Sequence, residues 1–87
     1  MRWTYKEPTL TISLMQGPDF RRLLGRRIRK LRGQKGWSQE EFADVCGVNR
    51  SYMGRIERGE LNLTLDSLLK ISKGLKRSVS AILKGIL

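Results

Sequence analysis

The side chains in this sequence that can do chemistry are overwhelmingly cationic. Eighteen Lys and Arg stand against eight Asp and Glu, so the chain of 87 residues carries a formal +10 at pH 7. A guanidinium fork is suited to holding a phosphate or the paired acceptors of a guanine edge. The sequence has no His and one Cys, Cys46. A His-based general base, a His-containing triad and His metal ligands are thereby excluded. A lone thiol makes neither an internal disulfide nor a Cys-rich zinc site. No nucleophile–base pair stands out elsewhere, so no enzymatic activity, no metal and no cofactor are expected. A polyanion is the partner that such a charge favours, either a nucleic acid or an anionic membrane face.

The charge is unevenly placed. Residues 19–35 hold eight basic residues against Asp19, whereas residues 36–60 hold three basic and five acidic ones. Residues 61–87 are basic again, with five Lys and Arg against Asp66. Seven net positive charges along about 25 Å of helix, at roughly 1.5 Å per residue, favour a phosphate-facing surface over a merely solvated one.

These side chains must be positioned by a small scaffold. The chain has the length of one domain, and its 39% hydrophobic content is that of a folded one. No apolar run approaches the roughly 20 residues that span a bilayer. Thr and Ser interrupt the apolar residues near the N-terminus, so no signal-peptide core is read there. With the single thiol, this points to a cytoplasmic protein without a membrane partner.

Residues 1–18 are expected to form an N-terminal extension and residues 19–87 the folded domain. Residues 9–14, Thr-Leu-Thr-Ile-Ser-Leu, alternate polar and apolar as a strand does, before Gly17 and Pro18 punctuate the chain. A lone strand is not stable. It must pair with a second copy, rest on the helical body or remain without fixed structure.

From Asp19, read as an N-cap, the pattern is helical. Phe20, Leu23, Leu24, Ile28 and Leu31 form one apolar stripe, and Gly33 and Gly36 mark the exit. A second helix opens with a capping box, Ser38 to Glu41, with Phe42, Ala43, Val45 and Cys46 inward. Asn49 caps a third helix, which runs from about Arg50 to Arg58 with Met53 and Ile56 inward. Thr64 caps a fourth, whose buried side is read as Leu65, Leu68, Leu69, Ile71 and Ser72. Ser78 caps a fifth, with Val79, Ile82, Leu83 and Ile86 apolar. The expected fold is all-α, five short helices joined by tight turns.

Within this pattern, Ala43 is small where two helices must approach closely. Gly47 stands four positions on, Val48 follows as the apolar residue of the turn, and Ile56 comes eight positions later. That is the spacing of a helix-turn-helix. Ser38-Gln39-Glu40-Glu41-Phe42-Ala43, then Gly47 to Met53, then Arg55-Ile56-Glu57-Arg58-Gly59 together resemble the phage-repressor (Xre-like, Cro-like) helix-turn-helix family. Leu65, Leu68, Leu69, Ile71 and Leu75 match that family's fourth helix, and residues 79–83 its fifth. The likeness spans about residues 22–84. By length it is closest to small stand-alone regulators such as restriction–modification controller proteins.

The resemblance implies a sequence-specific transcriptional regulator, a repressor type, that binds double-stranded DNA as a homodimer on a palindromic operator. A recognition helix lies in the major groove with its N-terminal residues on base edges. On that geometry Arg50, Ser51, Tyr52 and Arg55 are the base-contacting candidates. Gln39, Asn49, Asn62, Arg22, Arg26 and Arg29 are the phosphate-contacting ones. The family also pairs an Arg late in helix one with a Glu late in helix three, here Arg32 and Glu57, as a structural ion pair. Two features depart from the pattern. Glu60, Leu61 and Leu63 stand where the family often has a basic residue and a Pro, and Gly54 lies inside the recognition helix. Gly54 is read either as room for DNA or as drift. A different function would be an antitoxin-like or adaptor protein, whose partner binds residues 1–18 or the last helix.

Overall fold

The computed structural model describes residues 17–86. The strand-like run at residues 9–14 lies outside the described residues. Five helices follow in order: α1 Pro18–Gln34, α2 Gln39–Cys46, α3 Arg50–Glu57, α4 Leu65–Leu75 and α5 Val79–Leu83. No helix among the described residues is long and apolar enough to cross a membrane.

Most boundaries follow from local hydrogen bonding. Ser38 accepts from the Glu41 N–H while the Glu41 carboxylate accepts from the Ser38 N–H, a reciprocal capping box. Asn49, Thr64 and Ser78 each accept a backbone N–H from the helix that they cap. The start of α1 differs from the expectation. Gly17 is the N-cap, with no side-chain bond, and Pro18 takes the first helical position, where its missing N–H costs nothing. Asp19 falls one residue further in, where its charge faces the positive end of the helix. Gly33 stays inside the last turn of α1, and the chain leaves at Gly36 with φ +75°.

Ile28, Phe42, Met53, Ile71, Leu75 and Ile82 are fully buried, drawing all five helices onto one core. Trp37, in the α1–α2 loop, stacks on Phe42 with ring centroids 5.8 Å apart. Cys46 is buried, and desolvation pushes its thiol up to about 11. Two crossings are set by glycine. A Cβ on Gly25 would lie 2.6 Å from the backbone oxygens of Ile56 and Glu57, so α1 rests directly on the end of α3. A Cβ on Gly74 would lie 2.6 Å from the Cys46 sulfur, so α4 meets α2 equally closely.

Several leucines and a valine expected inside are outside. Leu65 is 70% exposed, Leu69 50%, Val45 48% and Leu23 46%. The reason in α4 is the Gly74 approach. At about 100° per residue, a helix that turns Ser67, Ile71, Gly74 and Leu75 to the core turns Leu65 and Leu69 away from it.

Candidate nucleic-acid interface

The candidate surface is built on the turn between α2 and α3. Gly47 closes α2 with φ +71°, a left-handed conformation that favours glycine. The Gly47 and Val48 N–H groups donate back to Asp44 and Ala43, which is Schellman geometry. Val48 packs on the core and fixes the angle between the helices. The Asn49 side chain then accepts from Ser51 N at 2.7 Å and Tyr52 N at 3.3 Å. Its oxygen is therefore committed to starting α3.

From there α3 divides into two faces. Met53, Gly54, Ile56 and Glu57 are buried. Ser51 and Arg55 are exposed on the other side, and Arg50 is exposed at the first turn, on the side of α2. Tyr52 lies between the faces, half-buried, with its hydroxyl 3.0 Å from Ser67 Oγ on α4. The hydroxyl thus has one hydrogen-bond partner within the fold.

The inner face is fastened by charge. Arg32 donates from Nε and from one terminal nitrogen to the two oxygens of Glu57, at 2.8 and 2.9 Å, and from the other to the Trp37 carbonyl. The Glu57 side chain is 3% exposed, and the Arg32 guanidinium is raised by its bond to Glu57. This is the ion pair that the resemblance implied. Gln39, at the first turn of α2, donates to the same Glu57 at 3.2 Å. It thus braces α3 while standing at a helix N-terminus that favours phosphate.

The outer arginines have acidic neighbours. Arg50 lies 3.5 Å from Glu40, and Arg55 lies 4.0 Å from Glu60. Arg58 donates to Glu60 at 2.6 Å, and this bond, with the nearby Arg55, holds the Glu60 carboxyl below the usual carboxylate range. The Arg58–Glu60 clasp was not read from the sequence. Its signal was two opposite charges flanking a turn glycine, Gly59, with φ +70°. Gly54 also gains a reason. A Cβ there would meet the Arg58 guanidinium at 3.0 Å and the Gln39 side-chain oxygen at 3.2 Å, so the glycine makes room for those two side chains.

On α1 the exposed Arg22, Arg26 and Arg29 fall beside the Gly25–Arg32 stripe that touches α3. Arg22 touches the α3–α4 loop directly, since a Cβ on Gly59 would meet the Arg22 backbone at 2.8 Å. Asn62, in that loop, accepts from Arg21 at 3.0 Å. Arg27, also unread from the sequence, donates to the Ala81 and Ile82 carbonyls and ties α5 to α1. Among the described residues no cluster of His, Cys, Asp or Glu could hold a metal ion.

Comparison with known proteins adds four findings. The family model described as "Helix-turn-helix" matches residues 28–82. The chain is 37% identical over 65 residues to control protein C.SmaI of Serratia marcescens, covering 75% of this chain and 77% of that protein. It is 43% identical over 58 residues to control protein C.BamHI of Bacillus amyloliquefaciens, covering 66% and 72%. Among solved structures it is similar to the restriction-modification controller protein C.AhdI from Aeromonas hydrophila. That match has a TM-score of 0.66 and 41% identity, over 68% of this chain and 89% of that one.

Proposed function

The chain belongs to the helix-turn-helix family of DNA-binding transcriptional regulators, and on that premise we propose that it reads a palindromic operator as a homodimer. One observation carries this function: Ser51 and Arg55 lie on the exposed face of α3 and Arg50 is exposed at its first turn, while the other face is locked by Met53, Ile56 and the Arg32–Glu57 pair. Arg50 and Arg55 are the base readers, each suited to the O6 and N7 of a guanine. Ser51 and the Tyr52 ring edge complete the reading surface. Gln39, Asn49 and Asn62 contact phosphate near α3, and Arg22, Arg26 and Arg29 contact it along α1. These contacts set register rather than sequence. Arg50 and Arg55 must leave Glu40 and Glu60 to bind, and exposed pairs of that kind cost little to open.

Two-fold symmetry in the protein calls for half-sites separated by about 34 Å, one turn of duplex. Leu65 and Leu69, a turn apart on α4 and well exposed, supply apolar surface for a second copy. Residues 19–87 act as the DNA-binding domain, with residues 1–18 as an extension to it.

The test is selection of bound duplexes from a random pool, followed by titration at several salt concentrations. The expected product is an inverted repeat whose affinity falls about 10³–10⁵-fold between 50 and 200 mM salt, for six to ten phosphate contacts. A flat salt response, or a pool that never enriches, refutes the proposal.

A further inference from the structure

Glu60 places a negative charge beside the arginines of the exposed α3 face. Its carboxylate takes two hydrogen bonds from Arg58, at 2.6 and 3.3 Å, and stands 4.0 Å from Arg55. All three side chains are about half exposed, at 47% for Glu60, 58% for Arg58 and 54% for Arg55. The Arg58 guanidinium lies back over Gly54, next to the Gln39 amide, in space that any larger residue at position 54 would fill. Gly54, Arg58 and Glu60 thus form one device. The glycine gives the guanidinium a seat, and the carboxylate holds it there.

We propose that Glu60 is a specificity-determining residue, a counter-charge that biases Arg55 and Arg58 away from phosphate and toward the neutral edge of a guanine. The inference rests on α3 being the duplex-facing helix. A phosphate that takes either guanidinium must bring its own negative charge up to the Glu60 carboxylate. A guanine edge presents two acceptors in one plane, as the carboxylate does, and carries no net charge. Exchange of the carboxylate for guanine is therefore favoured over exchange for backbone. Binding to arbitrary DNA is held down more than binding to the operator.

The experiment compares the parent with Glu60→Gln, Glu60→Asp and the double variant Glu60→Gln with Arg58→Gln. Asp66→Asn serves as a charge control, since it removes an acid paired with Lys70 on α4. Each protein is titrated onto two duplexes of equal length, one enriched from the random pool and one of mixed sequence, at salt concentrations from 50 to 200 mM. Far-UV circular dichroism melts verify folding. Glu60→Gln is expected to bind the mixed-sequence duplex about tenfold more tightly. Its log–log salt slope should steepen by about 0.9 for each phosphate gained, one or two in all. The ratio between the two duplexes falls. Glu60→Asp stays near the parent, and the double variant loses about half of the added slope. Asp66→Asn leaves the ratio unchanged. Parallel slopes with an unchanged ratio in Glu60→Gln, or an equal drop of the ratio in Asp66→Asn, overturn the proposal and leave the duplex-facing assignment standing. A parent that binds neither duplex in a salt-dependent way overturns both.

Discussion

Two arginine–glutamate pairs meet at the C-terminal end of α3, each joined by two hydrogen bonds, and they differ in burial. Arg32 and Glu57 are 15% and 3% exposed, and they close a bidentate fork that Gln39 and the Trp37 carbonyl complete. Arg58 and Glu60 sit on the surface, where water and a ligand can compete for them. The first pair cannot be opened without stranding a buried charge, so it fixes the pitch of α3 against α1. The second can be opened at little cost, so it can be exchanged for a nucleic acid. One residue type thus serves as a bolt and as a latch, and burial decides which.

The comparison can be broken most forcefully from the buried side. Glu57→Ala leaves the Arg32 guanidinium without its partner, and a loss of about 3–5 kcal/mol is expected, read by urea denaturation. A loss no larger than that of an exposed substitution would place the pair outside the fold's foundations. Gly25→Ala, at the crossing where the two backbones touch, is expected to lose a net 1–3 kcal/mol or so by the same measurement. This holds although alanine ordinarily improves a helix interior. On the outer face Arg50→Ala should leave the melt unchanged and remove about 1–3 kcal/mol of discrimination at one base position. Binding-site selection with the variant checks that outcome. Arg26→Ala should weaken every duplex alike and lower the salt slope by about one.

The smallest effect is that of pH. The Glu60 carboxyl is held low by its bond to Arg58, and the Glu41 carboxyl is held low by the Ser38 N–H and hydroxyl. A depressed folded value stabilises above the unfolded value and is lost as pH falls through the folded one. Thermal midpoints of the parent and Glu60→Gln should therefore differ slightly at neutral pH and converge below the ordinary range of glutamate, about 4.3. Curves that stay parallel into acid would show that the surface clasp contributes nothing to the fold.

Much of the scaffold was legible in the residues. The capping box at Ser38, the Asn49, Thr64 and Ser78 caps, and the Gly47–Val48 turn are each written within six residues of chain, and the structure has them as expected. The Arg32–Glu57 pair came from family resemblance; its 25-residue separation offers no local signal. The α1 start lies two positions before the expected one, because Pro18 rather than Phe20 takes the first helical position. The exposed faces of Leu23, Val45, Leu65 and Leu69 were misread for a different reason. A helix apolar over much of its circumference satisfies the same periodicity in more than one rotation, and the choice is made by what it meets.

The sequence by itself determined the charge, the helix termini and the helix-turn-helix spacing, because all three are set by groups a few residues apart or by composition alone. Only the tertiary structure decided which arginines are spent inside the molecule. Arg27 holds carbonyls more than fifty residues away and Arg32 holds Glu57, whereas Arg58 is clasped by Glu60 at the surface. Arg50 and Arg55 are exposed as well, each beside an acidic neighbour. In the sequence these are five identical cations. Their difference lies in desolvation and in partners brought together from distant parts of the chain, which no local pattern encodes.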